Sequence, residues 1–149
     1  MDEHESLSAS LEDYLEAIYH ITAAKKAARV KDIALRLQVN NSSVTGALQT
    51  LAARKLVNYA PYDVITLTPG GQAIAGDIVR RHQALRDFFV KVLQVEETLA
   101  DRCACGMEHA LPREILDRLA QFVEYVDADE GGAAAWLDDF ARYCRQHKP

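Results

Sequence analysis

The segment between residues 30 and 68 constrains the fold more than any other part of the chain. Residues 30–38 and 39–55 each carry apolar side chains at the three- and four-residue spacing of a helix face, namely Val30, Ile33, Ala34 and Leu37, then Val44, Ala47, Leu48 and Leu51. The turn between them is short and polar, and Asn40, Asn41 or Ser42 can cap the second helix. Two short helices joined in this way predict a helix-turn-helix.

A hairpin is predicted directly after the second helix. Residues 56–59 and 64–68 are rich in β-branched and aromatic side chains, and Pro61, Tyr62 and Asp63 lie between them as a turn. A helix-turn-helix followed by a hairpin predicts a winged helix.

The remaining patterns are helical. Amphipathic helices are predicted over residues 10–22, with Ser8 or Ser10 as the N-cap, and over 70–93, 96–110, 112–126 and 133–146. We therefore expect a mainly α protein with two domains, a winged helix-turn-helix over residues 1–72 and a helical domain over residues 73–149.

The 149-residue chain carries a net charge of −5 that is unevenly distributed. Residues 1–19 hold six acidic side chains and no Lys or Arg, whereas residues 20–60 hold seven basic side chains against Asp32 alone. Residues 20–60 can therefore bind phosphates while the rest of the chain stays acidic. A basic face that only contacts solvent would give the same charge pattern.

The location expected from the sequence is the cytoplasm. No apolar run is long enough for a membrane helix, and the acidic N-terminus is unlike a secretory signal. An odd number of cysteines, three, fits a reducing compartment.

The second helix of a helix-turn-helix reads base edges in the major groove through its N-terminal residues. The expected base-reading residues are Asn40, Asn41, Ser42, Ser43, Thr45 and Gln49. Basic side chains around them are expected to bind phosphate, which positions the protein without reading sequence: Arg29, Lys31, Arg36, Arg54 and Lys55. The alternative is an ordinary helical hairpin with a polar cap.

Three groups of side chains could bind a metal. Asp13 and Glu16 share a face of the first helix, and Cys105, Glu108 and His109 are spaced to share another, with His82 between the two groups. Thiolate, imidazole and carboxylate donors together suit a first-row divalent ion. Each group alone also has a structural explanation, such as acids at a helix N-terminus or a buried cysteine.

The order of several motifs resembles a known family. SLEDYLEAIY at residues 10–19, Val44 with Thr45, LTPGG at 67–71, Arg81 with His82, and CGMEH at 105–109 together resemble the diphtheria toxin repressor family of metal-dependent regulators. The resemblance covers roughly residues 8–126. It implies a homodimer, a second domain for dimerisation and metal binding, and repression of iron or manganese homeostasis genes rather than catalysis. Its ligands fall on Asp13, Glu16, His82, Cys105, Glu108 and His109.

The chain also departs from the family pattern. Manganese regulators usually carry a carboxylate at the position of Cys105 and a His at that of Ala110, whereas iron regulators usually carry a Met at that of Asp13. Iron regulators also use a Glu and a His where Arg86 and Asp101 stand, so their ancillary site is not expected. Nor is the third, SH3-like domain of longer members. Fe(II) or Mn(II) is the expected corepressor, with Co(II), Ni(II) or Zn(II) as surrogates.

Double-stranded operator DNA is the expected partner, and a dimer should read an inverted repeat whose half-sites lie about one helical turn apart, or a multiple of it. Cys103 and Cys144 are expected to be structural, because residues two apart on a helix, such as Cys103 and Cys105, point in different directions.

Two other functions compete with this one. A winged-helix regulator could sense oxidants or a small ligand through Cys103 or Cys105, if one of them is an exposed thiol of low pKa. A metalloenzyme would need an open coordination position and a substrate cleft, and the sequence carries no HExxH helix or phosphate loop.

Overall fold

The fold is described from a computed structural model, for residues 6–129 and 131–148, without the side chains of residues 133 and 134. The chain divides into two compact units, one ending at Val79 and the other beginning at Arg80. The division falls inside a long helix, α4, which spans Pro69–Asp87. Each unit is described by itself.

The first unit contains three helices before α4. Helix α1 spans Ala9–Lys25 and is capped by Ser8, whose hydroxyl accepts a hydrogen bond from the Leu11 N–H. Helix α2 spans Val30–Leu37, and helix α3 spans Asn41–Ala53. Of the three predicted N-caps of α3, Asn40 is the one used: its side chain accepts from the Ser43 N–H at 2.7 Å.

The hairpin is present, but its strands are shorter than predicted. Strand β1 spans Val57–Asn58 and pairs antiparallel with β2, Thr66–Leu67. Pro61 has no N–H to donate and Tyr62 has a φ of 67°, so the ladder cannot continue toward the tip. Ile65 pairs instead with Ala28, before α2, through two backbone hydrogen bonds. The wing is thereby attached to the start of the helix-turn-helix.

One apolar core holds the first unit together. Its fully buried side chains come from the four helices and from the residue before β2: Leu15, Ile18, Ile33, Val44, Leu48, Leu51, Ile65 and Ile78. The predicted apolar faces of α2 and α3 lie in this core, which confirms the helix-turn-helix assignment.

All secondary-structure elements in the described part of the second unit are helices. After α4 the chain continues as a π-helical turn over Phe88–Val92, followed by α5 over Glu97–Met107, α6 over Arg113–Ala128 and α7 over Gly132–Gln146. The single helix predicted over 70–93 is therefore wrong in its last turn, where the Leu93 N–H bonds to the Phe88 carbonyl five residues back. The wider turn lets Phe89 pack with Leu85 and Leu116, and Val92 with Val126.

Among the described residues, no helix is both long and apolar enough to span a membrane.

Candidate metal centre and nucleic-acid interface

Several polar side chains of the second unit cluster around the carboxylate of Glu108, namely Arg81, His82, Asp101 and His109. The side chain of Glu108 is completely buried, and Glu108 is the residue that caps the C-terminus of α5. Arg81 of α4 donates to the Glu108 backbone carbonyl at 3.1 Å, where helix ends present unsatisfied carbonyls. The chain is thus held in place at the residue that supplies the buried carboxylate.

Two imidazoles flank this carboxylate. His82 Nδ1 lies 2.6 Å from Glu108 Oε2, and His109 Nε2 lies 3.4 Å from Glu108 Oε1. The other ring nitrogen of His82, Nε2, lies 2.9 Å from an Asp101 carboxylate oxygen. Both imidazole side chains are largely shielded from solvent, with exposed fractions of 16% for His82 and 12% for His109.

The donor set fits a divalent transition metal. Burying a carboxylate is costly unless it is paired, and imidazole with carboxylate is a ligand combination common to Mn(II), Fe(II) and Zn(II) sites. An ion near Oε2 of Glu108 would receive nitrogen and oxygen donors from His82 and Glu108, and an ion near Oε1 would receive them from His109 and Glu108.

The predicted common helix face of Cys105, Glu108 and His109 is only partly correct. Helix α5 ends at Met107; Glu108 keeps helical backbone angles as its cap, and His109 lies in the turn that follows. Cys105 lies on the helix itself, and its side chain is exposed. Cys103 also lies on α5, so the two cysteines point in different directions.

The two acidic residues of α1 belong to the first unit. Both side chains are half-buried on the helix that also supplies Tyr14, Leu15 and Ile18 to the core. Glu16 lies 3.6 Å from His20 Nε2, one turn further along. Asp13 and Glu16 therefore lie at the edge of the buried face of α1.

Sequence reasoning missed two side chains that shape the cluster, Arg81 and Asp101. Arg81 was noted only as part of a motif, and Asp101 only as a departure from the family pattern. Asp101 precedes Glu108 by seven residues, two turns of a helix, so helical spacing alone places both on one face. That spacing was the available signal.

Every predicted DNA-contact residue lies at the surface of the first unit. Thr45 is half-buried, and the side chains of the other ten residues are exposed. Two of them also hold α3 together: Asn40 caps it, and the Thr45 hydroxyl donates to the Asn41 carbonyl at 2.9 Å. Asn41, Ser42, Ser43 and Gln49 are exposed, and their role as base readers stays a prediction.

A groove of about 650 Å³ lies between α3 and the wing. Asn41, Thr45 and Gln49 line its helix side, and Tyr59 and Tyr62 line its wing side. Arg29 and Lys31, at the start of α2, are also part of the lining, so the groove offers positive charge beside the recognition helix.

The one acidic side chain among residues 20–60, Asp32, is paired with a basic side chain. Asp32 accepts from Lys25 Nζ at 3.2 Å and from the Arg29 N–H at 3.2 Å, reaching back over the start of α2. The hydrogen bond from Lys25, helped by the Arg29 N–H, lowers the pKa of Asp32. The carboxylate therefore stabilises α2 and does not oppose the positive surface around it.

The sequence matches two domain families that together cover most of the chain. Residues 6–65 match the N-terminal DNA-binding domain of iron-dependent repressors, and residues 68–137 match their metal-binding and dimerisation domain. An uncharacterised HTH-type transcriptional regulator from Methanocaldococcus jannaschii is 40% identical over 79% of this chain and 95% of its own. The chain belongs to the diphtheria toxin repressor family. This family consists of iron- and manganese-dependent transcriptional repressors.

Further family members agree in sequence and fold. The regulator MntR of Geobacillus kaustophilus is 39% identical over 87% of this chain and 91% of its own. The structures of IdeR from T. acidophilum and of a manganese-dependent transcriptional repressor in complex with manganese superpose with TM-scores of 0.68 and 0.69, at 26% and 28% identity. They cover 78% and 77% of this chain, which spans about half of each of them. The matches support the winged-helix repressor fold and lend no support to oxidant sensing.

Proposed function

We propose that this protein is a homodimeric repressor that binds operator DNA when Fe(II) or Mn(II) occupies a site containing His82, Glu108 and His109. The observation that carries the proposal is the buried Glu108 carboxylate between two imidazoles, within the segment that matches a metal-binding domain. Asp13, Glu16 and Cys105 are proposed as further ligands from their chemistry and from the family resemblance.

The proposed donors favour a hard or borderline metal ion. Oxygen and imidazole nitrogen suit Mn(II) and Fe(II), while a Cys105 thiolate would favour Fe(II) over Mn(II). Co(II), Ni(II) and Zn(II) accept the same donors and are expected to act as surrogates in vitro. Intrinsic affinity rises from Mn(II) toward Cu(II), so the ion bound in the cell depends on which metals are available.

Dimerisation is proposed for the second unit. Large apolar side chains are exposed on it, as expected of a surface that another copy covers: Leu99, Met107, Ile115, Phe122, Tyr125 and Trp136. A two-fold dimer presents two copies of α3, and two copies read an inverted repeat.

Metal ligands contributed by both matched domains would couple metal binding to DNA binding. An ion that binds better to the DNA-competent arrangement increases the population of that arrangement, and operator DNA must then tighten metal binding by the same factor. The size of the effect is limited by the difference in the ion's affinity for the two arrangements.

The test is a titration of Mn(II) and Fe(II), under anaerobic conditions, into the protein with and without a duplex that carries its operator. The unaltered protein should bind the duplex only with metal, whereas Glu108→Ala and His109→Ala should lose the metal response. Glu114→Ala, an exposed acid on α6, is the matched control and should respond normally. Full metal response in either ligand variant would reject the proposed site.

The contribution of α1 has its own variant. Asp13→Ala combined with Glu16→Ala should leave the dimer intact and keep weak DNA affinity that no longer responds to metal. An undiminished response would remove both residues from the ligand set.

A further inference from the structure

We propose that Asp101 is a positioning residue for the metal centre: it holds the Nε2 proton of His82, so that His82 offers Nδ1 to the ion. This inference rests on the proposed function, because it assumes that His82 is a ligand. The inference starts from two contacts of the His82 ring. Its Nε2 lies 2.9 Å from an Asp101 carboxylate oxygen, and its Nδ1 lies 2.6 Å from a Glu108 carboxylate oxygen.

The chemistry of the imidazole decides which nitrogen does what. A neutral imidazole carries one N–H and one lone pair, and the partner of one nitrogen fixes the role of the other. An ionised carboxylate can only accept, so Asp101 favours a proton on Nε2, and Glu108 favours one on Nδ1 until an ion replaces that proton. The lone pair available to a metal is then on Nδ1, which faces the buried Glu108 carboxylate.

Arg86 of α4 lies beside Asp101. Its guanidinium lies 3.1 Å from a Glu97 carboxylate oxygen and 3.8 Å from Asp101, so it lies beside two acids one turn apart on α5. These contacts join α4 to α5 at the level of the His82 ring. Outer partners of this kind orient metal-binding histidines and raise their basicity.

The Nε2 proton of His82 can be detected without any metal. Long-range proton–nitrogen NMR spectra of the metal-free protein should show a protonated His82 Nε2, and addition of Zn(II), which is diamagnetic, should leave that proton in place while shifting Nδ1. Asp101→Ala should lose this preference. A His82 whose Nε2 carries no proton in the unaltered protein would overturn the proposal, whatever the variants do.

Metal affinity gives the second readout. By the usual effect of outer-shell partners, Asp101→Ala should weaken Mn(II) binding about tenfold, and Asp101→Asn less, because the amide oxygen can still accept from Nε2. The matched control is Glu97→Gln, which alters the other carboxylate beside Arg86 but has no described contact with His82; it should bind Mn(II) within about twofold of the unaltered protein.

The outcomes separate this inference from the proposed function. If His82→Ala binds Mn(II) normally, His82 is not a ligand and the proposed site itself is wrong. If His82→Ala fails but Asp101→Ala binds normally, only the positioning role is lost. Equal losses in Asp101→Ala and Glu97→Gln would show a general structural effect of the α4–α5 ion pairs and would also overturn it.

Discussion

At the scale of single residues, the junction between the wing and α4 depends on Thr68 and Gly71. The Thr68 hydroxyl donates to the Lys55 carbonyl at 2.7 Å and accepts from the Gly71 N–H at 3.0 Å, so it closes the wing and caps α4. A Cβ at Gly71 would overlap the carbonyl oxygen of Leu56. The LTPGG motif is thereby explained by local packing in the first unit.

Gly71→Ala should therefore destabilise the protein. The added methyl group must displace backbone, which typically costs about 1–3 kcal/mol, and thermal unfolding of the metal-free protein measures the loss. Gly70→Ala is the matched control, since a Cβ there meets its nearest atoms, in Thr68 and Leu56, only at 3.8 and 3.9 Å. Equal midpoints for the two variants would contradict the packing argument.

At the scale of elements, the recognition helix relies on its cap. The bond from the Ser43 N–H to Asn40 fixes where α3 begins, and the helix start fixes which residues face DNA. Asn40 therefore acts on DNA binding through the helix as well as through any base contact.

Asn40→Ala should cost about 1 kcal/mol of stability and weaken binding to all DNA sequences. Asn41→Ala removes a neighbouring exposed amide for which no capping bond is described, so it should leave the unfolding midpoint nearly unchanged and alter sequence preference. The measurements are thermal unfolding and binding to a panel of single-base operator variants. A stable Asn40→Ala protein with altered preference would reverse the two assignments.

Helix α2 offers a pH test. The folded protein lowers the pKa of Asp32 through Lys25, so this interaction stabilises the fold above the ordinary value of 3.8 and is lost as pH falls through the lowered pKa. Asp32→Asn should therefore lower the unfolding midpoint at pH 7 and make progressively less difference in acid. A stability difference between the two proteins that stayed constant from pH 7 into acid would exclude this linkage.

At the scale of the whole molecule, charge separates the two functions. Residues 20–60 carry seven basic side chains and one acidic side chain, and the acidic one is paired with Lys25, whereas residues 82–149 carry eight basic and 13 acidic side chains. DNA affinity should therefore depend on the basic residues of the first unit and not on those of the second, despite the net charge of −5.

Arg54→Ala should weaken binding to all sequences alike and reduce the slope of log affinity against log salt by about one. Arg118→Ala, an exposed basic residue on α6, removes the same charge from the acidic half and should leave the slope unchanged. Binding isotherms at several salt concentrations, with saturating Mn(II), make the comparison. Equal slopes for both variants would show that Arg54 does not meet phosphate.

The kinds and order of the elements follow from the amino-acid sequence alone. Periodic apolar residues predicted α2 and α3 because a helix at the surface of a globular domain buries one face. Two stretches rich in β-branched and aromatic side chains, on either side of Pro61, predicted the hairpin. Donor chemistry and motif order singled out His82, Glu108 and His109, which the structure brings together within the second unit. These inferences needed only local spacing or the residue types themselves.

Features that depend on packing between distant segments are visible only in the folded protein. Ile65 pairs with Ala28 rather than extending the hairpin, and the chain after Asp87 widens into a π-helical turn so that Phe89 and Val92 can reach different partners. The structure also determined that Asp101 lies beside His82. The physical reason is that the spacing of residues along the sequence predicts which side chains lie on the same face of a helix. The partner of such a side chain on another helix depends on how the two helices pack.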